Sequence, residues 1–292
     1  MLMARKWKIA LGENGFWSSD IDYGTTYTAS QVLAHAKELD YDGIELFLIY
    51  HSPLPEKSSE VKKLKSLYNE QGMEIPAIQS SSGGSLADPD SKKRKEYVDN
   101  VKKQIRFAAE IGATHSVALY PGSIPDGLTK LKALELLIES YCDITGEAER
   151  LKVTLNMETE PPFIVNTPDI AKEVLDRVGS KNFKILWDFS HVNVISNGDP
   201  IGYLKLVGGR VGWTHVIDND GSRRYFSPIG ARTSTHLPLG WGELDYANII
   251  RSLLEYGYGG WWQVDLWECP ELFQASRINK TELERVLNNL IK

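Results

Sequence analysis

Four short apolar runs each end in a side chain able to bind a metal ion: Leu155-Asn156-Met157-Glu158, Ile185-Leu186-Trp187-Asp188, Val211-Gly212-Trp213-Thr214-His215 and Trp261-Trp262-Gln263-Val264-Asp265. Singly, such a residue has plainer uses. An acid at a strand end caps a helix or closes a turn, and an imidazole after an apolar run can sit satisfied in a core. Four in succession are best explained by neighbouring parallel strands that deliver their last residues to one barrel mouth. The pattern predicts a mononuclear metal site there.

The elements that would carry such a site alternate along the whole chain. Strand-like runs fall at Lys8 to Leu11, Gly43 to Ile49, Glu74 to Gln79, His115 to Leu119, Lys152 to Met157, Phe183 to Trp187, Arg210 to Ile217 and Gly260 to Leu266. Several are nearly continuous apolar stretches, as expected of parallel strands covered on both faces. Amphipathic helices are expected over Ser30 to Leu39, Glu60 to Gln71, Lys92 to Ile111, Leu131 to Leu151, Pro168 to Val178, Pro200 to Leu206, Tyr246 to Tyr256 and Thr281 to Ile291. Thr167-Pro168-Asp169 marks a helix start, while Gly72, Gly112, Gly179 and Gly257 mark ends. Eight βα units without a linker predict an α/β protein, a (β/α)8 barrel forming one domain over residues 1–292. Two connections, Gly12 to Thr28 and Asp218 to Leu244, are long enough to cover a site on the catalytic face.

With 292 residues, 42% of them apolar and 25% charged, the chain has the composition of a globular protein, and no apolar run approaches the roughly 20 residues of a membrane span. The bases near the N-terminus adjoin a strand-like run too short for a secretory signal, so a cytoplasmic location is expected. A net charge of −6 without a basic stripe argues against nucleic acid as a partner and favours a small neutral or anionic metabolite. Cys142 and Cys269 fit a reducing compartment and no disulfide framework.

Other residues near the expected mouth are candidates for the pocket. Glu45 and His51 follow the second strand, and Gln79, Tyr120 and Glu160 follow later ones. Trp17, Trp187, Trp241 and Trp267 lie at rim positions, where indole faces suit the apolar faces of sugars or pack loops. Arg223, Arg224 and Arg232 in the long seventh connection either grip an anionic group or form a solvated loop face. Phe16, Trp17, Tyr225 and Phe226 are candidate exposed aromatics for a homo-oligomer interface. No phosphate-binding Gly-rich loop, serine elbow or CxxC element is present.

The sixth strand runs into Asp188-Phe189-Ser190-His191, the seventh into His215-Val216-Ile217-Asp218, and His236-Leu237-Pro238-Leu239-Gly240-Trp241-Gly242 precedes the last helix and strand. In these motifs the chain resembles the xylose isomerase-like TIM-barrel superfamily of sugar isomerases and epimerases, relatives of the AP endonucleases. The resemblance puts the metal ligands on Glu158, Asp188, His215 and Asp265, and one divalent ion is implied. That donor set, three carboxylates and one imidazole, suits Mn²⁺ first, with Mg²⁺, Co²⁺ and Zn²⁺ as alternatives. His191 matches the position that holds substrate oxygens in single-metal members. Asp218, His236, Trp17, Glu45 and Tyr120 are expected to join it around a small carbohydrate, with no nucleic acid or membrane partner. Asp265 departs from the pattern, since members resembling ketose 3-epimerases carry Glu there.

The resemblance implies a metal-dependent sugar isomerase or epimerase that removes a proton next to a carbonyl through a metal-stabilised enediolate. Glu158 is the expected base, and Asp265, or failing that Glu268, the opposing acid. Dehydration of an inosose or cleavage of an oxidised glycoside begins with the same step and is the alternative. A non-catalytic binding protein would leave the ligand quartet without a purpose. The endonuclease branch is disfavoured by residues: it has His-Pro-Gly after the fourth strand and Asp-x-His before the Gly-x-Gly turn, where this chain has Tyr120-Pro121-Gly122 and Ser234-Thr235-His236. Its third strand supplies a histidine where this chain has Gln79.

Overall fold

The computed structural model describes residues 7–55, 57–80, 84–117, 119–226, 230–269 and 271–290, the side chains of 20–22 and 226 apart. Its first seven strands are β1 (Ile9–Gly12), β2 (Gly43–Phe47), β3 (Glu74–Gln79), β4 (His115–Val117), β5 (Thr154–Glu158), β6 (Phe183–Asp188) and β7 (Val211–Val216). A hairpin of β8 (Arg223–Phe226) and β9 (Ala231–Ser234) comes next, and then β10 (Trp262–Val264). All but the hairpin strands close into a parallel barrel in the order β1-β10-β7-β6-β5-β4-β3-β2. The expected eight-stranded α/β barrel is therefore present.

The helices among the described residues are α1 (Asn14–Tyr23), α2 (Ala29–Glu38), α3 (Ser58–Glu70), α4 (Ser91–Ile111), α5 (Lys130–Leu151), α6 (Pro168–Val178), α7 (Phe189–Ile195), α8 (Pro200–Leu206), α9 (Tyr246–Glu255) and α10 (Leu272–Leu290). Their starts obey side-chain capping: Thr167 accepts from the Ile170 amide ahead of Pro168, and Thr28 forms a capping box with Gln31. Two helices and the hairpin lie in segments the sequence left as connections. The helix α10 also begins at Leu272, ahead of the expected Thr281, because Leu272, Ala275, Ser276, Asn279 and Leu283 continue one buried face. None of the described helices is long and apolar enough to cross a membrane.

Period-two alternation explains how a greasy barrel ends in a polar mouth. Ala10, Ala77, Val117, Leu186 and Trp213 form one buried cluster inside the barrel. Two residues beyond Ala77, Leu186 and Trp213, on the same strand faces and one layer nearer the mouth, stand Gln79, Asp188 and His215. Asp188 and His215 are also direct partners across β6 and β7, so register alone brings an acid and an imidazole together. The larger core cluster lies between barrel and helices. Two expectations are corrected there: Phe16 is fully buried and edge-on to Tyr27, and Trp187 is fully buried against Tyr203, so neither is exposed nor at the rim.

Candidate metal centre

Three carboxylate oxygens converge on one imidazole nitrogen at the barrel mouth. His215 Nδ1 lies 3.6 Å from Glu158 Oε1, 3.7 Å from Asp265 Oδ2 and 3.8 Å from Asp188 Oδ2. These separations exceed hydrogen bonds, and like charges do not gather in a buried place without compensation. They leave room for a cation between the four groups, and the residues fit a hard divalent ion in number and chemistry. The orientation of His215 fits as well: Glu45 Oε2 takes up its Nε2 at 3.2 Å, which leaves Nδ1 free to present its lone pair.

Each flanking acid spends one oxygen on the fold and turns the other inward. Asp188 Oδ1 accepts the His191 amide at 2.8 Å and so caps α7. Asp265 Oδ1 accepts Asn14 Nδ2 at 2.9 Å and the Trp267 amide at 3.1 Å. Asn14 gets there because α1 packs tightly on the exit of β10: a Cβ on Gly15 would lie 2.5 Å from the Leu266 carbonyl carbon. Despite its short side chain, Asp265 Oδ2 lies 3.7 Å from His215 Nδ1, close to the 3.6 Å of Glu158 Oε1.

His236 stands beside this centre, with Nε2 3.4 Å from Asp188 Oδ2 and 3.7 Å from Asp265 Oδ2, while Nδ1 faces the Ser234 carbonyl at 3.1 Å. Asp188, His191 and His236 form a second set of potential ligand atoms within 4.8 Å of one another. The His191 Nε2 lies 4.0 Å from Glu158 and 3.8 Å from Glu160, and its Nδ1 has no partner. Burial sets the ionisation here. It pushes the Glu158 carboxyl up to about 7 and the Glu160 carboxyl up to about 8, and it pulls His191 down to about 3. For His236 burial acts downward, but Asp188 together with Asp265 and Glu268 outweighs it and raises the imidazole to about 9.

Above these groups opens a cavity of about 310 Å³. Of the residues expected at a site, Trp17, Gln79, Tyr120, Glu158, Glu160, His191, His215, His236, Asp265 and Trp267 line it. Trp17 and Trp267 stack with ring centroids 5.9 Å apart, and Gln79 Nε2 donates to the Tyr120 hydroxyl at 2.9 Å.

Other expectations are corrected. Glu45 does not line the cavity; it is fully buried behind His215. Asp218 also lies outside it and accepts the amides of Asn219, Gly240, Gly242 and Leu244 at 2.8 to 3.1 Å. This carboxylate fastens the Gly-x-Gly loop, where Gly240 adopts φ +86° and a Cβ on Gly242 would lie 2.7 Å from the Asn219 nitrogen. His51 turns away to Glu13 Oε2 at 2.9 Å, and Trp241 is 61% exposed outside the cavity. Glu268 is buried with Oε2 3.0 Å from Arg224 Nε and does not line the cavity, so it is removed as an opposing acid.

Sequence reasoning missed two residues. Glu13, directly after β1, accepts from the Phe47 amide, His51 and the Tyr68 hydroxyl and thereby ties β2 to the first connection. An acid following a strand end, the signal that picked out Glu158, was available for it. Asn14 carried no such signal, because its role depends on α1.

A family model described as a xylose isomerase-like TIM barrel matches residues 33–286. The fructoselysine 3-epimerase of Shigella flexneri is 26% identical over 247 residues, covering 79% of this chain and 82% of that protein. The inosose dehydratase of Geobacillus kaustophilus is 20% identical over 291 residues, covering 92% and 90%. A xylose isomerase-like TIM-barrel protein from Mycobacterium smegmatis, solved in complex with magnesium, superposes with a TM-score of 0.75 over the whole of both chains at 18% identity.

Proposed function

The chain belongs to the xylose isomerase-like TIM-barrel family, and from that premise we propose that it is a metal-dependent sugar isomerase or epimerase. The observation that carries this is the convergence of Glu158, Asp188 and Asp265 on His215 Nδ1 at 3.6 to 3.8 Å beneath a cavity. Those four residues would hold one divalent ion, manganese or magnesium by the hardness of the donors. Magnesium in the M. smegmatis relative and epimerisation in the S. flexneri relative support the same reading.

When bound, the ion supplies positive charge beside a substrate carbonyl and so acidifies the adjacent C–H. Glu158 takes that proton, since it lines the cavity beside His215 and, in the metal-free protein, burial raises its carboxyl to about 7. His191, neutral through burial, and the Tyr120 hydroxyl hold substrate oxygens, while Trp17 and Trp267 offer their faces to the carbon skeleton. Glu45 keeps His215 in the tautomer that presents Nδ1. Glu45→Gln is therefore expected to weaken divalent-ion affinity by about tenfold or more, measured by competition with a chromogenic chelator. Unchanged affinity would remove Glu45 from that role.

One observation favours elimination as a second reading. Asp265 Oδ1 is occupied by two donors and Oδ2 faces the ion position, so a second base for two-face proton exchange is not free. Glu160, raised to about 8, carries a proton into the cavity. In a dehydration Glu158 would take the α-proton, the β C–O bond would break, and the leaving hydroxyl would accept the Glu160 proton and depart as water.

One experiment tests both readings. Manganese-loaded protein is incubated in D₂O with a panel of ketoses, inososes and keto-glycosides and analysed by mass spectrometry. Deuterium gain without other change is the expected result and loss of water marks elimination. No metal-dependent change in any compound rejects proton abstraction.

A further inference from the structure

We propose that the cavity is built for an uncharged polyhydroxylated carbonyl compound and rejects its phosphate esters, a specificity that rests on the proton-abstraction reading above. Among the described residues its lining carries carboxyl groups at Glu158, Glu160 and Asp265 and no lysine or arginine. A phosphate ester inside it would find no guanidinium or ammonium group, and the imidazole of His236 is already taken up by Asp188.

The arginines of the seventh connection lie away from the cavity. Arg224 pairs with Glu268, and Arg232 donates to the Arg223 carbonyl within the hairpin. None of the three lines the cavity. Residues 81–83, outside the described set but next in sequence to the lining residues Ser80 and Gly84, read Ser-Ser-Gly and bring no cation.

The polar groups that the wall does offer are matched to hydroxyls. Beyond the metal centre it presents Ser80, Ser85, Ser123, Tyr97 and Tyr120. Gln79, only 1% exposed, aligns its Nε2 on Tyr120 and leaves Oε1 without a partner. A buried acceptor without a donor is costly, and a substrate O–H satisfies it where a phosphate dianion, itself only an acceptor, does not. The stacked Trp17 and Trp267 add indole surface to the lining, suited to a sugar carbon skeleton.

The test compares matched pairs on the manganese-loaded protein: D-fructose with D-fructose 6-phosphate, and D-tagatose with D-tagatose 6-phosphate. Binding is followed by titration calorimetry and proton abstraction by deuterium uptake. The free sugar of at least one pair should exceed its phosphate ester by about 100-fold or more in kcat/KM or in affinity, and millimolar inorganic phosphate should not compete. Ser123→Lys, at an exposed point of the lining, should narrow that gap by placing a cation at the rim.

Equal or better handling of the ester, or competition by inorganic phosphate, overturns the inference while leaving proton abstraction intact. If no sugar takes up deuterium, proton abstraction fails and calorimetry still decides this point. Binding of the free sugars alone supports it, whereas tighter binding of the esters, or of neither member of each pair, overturns it.

Discussion

Glu158→Gln is expected to lower α-proton exchange by at least about 10²-fold while the divalent ion stays bound. The amide keeps an oxygen where Glu158 Oε1 lies, 3.6 Å from His215 Nδ1, so a ligand atom survives. The basic lone pair disappears. In the metal-free protein burial raises the wild-type carboxyl to about 7, and it is the deprotonated form that takes a proton from an activated C–H. Deuterium uptake and metal content, measured on the same preparation, separate the two roles. A variant that exchanges at the wild-type rate with its metal in place would move the base elsewhere. Loss of metal and rate together would instead make Glu158 primarily a ligand.

Divalent-ion affinity should fall by at least about tenfold between pH 8 and pH 6. In the metal-free protein, burial raises Glu158 to about 7. Burial acts to lower His215, but Glu45 and the surrounding carboxylates outweigh it and raise that imidazole. Both groups must give up their protons to bind an ion, so protons compete increasingly as pH falls through and below 7. The sign is fixed by this: acid releases metal, and metal binding near neutral pH releases protons. Titration calorimetry in buffers of different ionisation enthalpy reads that release directly. An affinity independent of pH over this range would mean that neither group coordinates.

The cluster at the barrel mouth was legible because strand residues alternate and a parallel barrel delivers all its strand ends to one mouth. Glu158, Asp188, His215 and Asp265 needed no knowledge of side-chain packing to be grouped. Asp218 was expected beside the substrate and lies outside the cavity, since its partners at 240, 242 and 244 come from a loop whose closure no local pattern announces. Glu45 was noticed but misplaced. An acid inside the apolar run Gly43-Ile44-Glu45-Leu46-Phe47 signals a buried partner, and only the barrel radius reveals that the partner is His215. The first connection hid α1, whose residues Asn14–Tyr23 show almost no amphipathic pattern because the helix is buried on several sides at its start. With α1 unseen, Phe16 was expected at the surface, and the hold of Asn14 on Asp265 was beyond reach.

The central claim is that one divalent ion sits among four named residues, and anomalous scattering from crystals grown with manganese tests it most directly. The account predicts one peak per chain at about 2.0 to 2.6 Å from Glu158, Asp188, His215 Nδ1 and Asp265, absent when Glu158 and Asp188 are both replaced by alanine. A peak held by His191 and His236 without Glu158 and Asp265, or one that persists in the double variant, would contradict it.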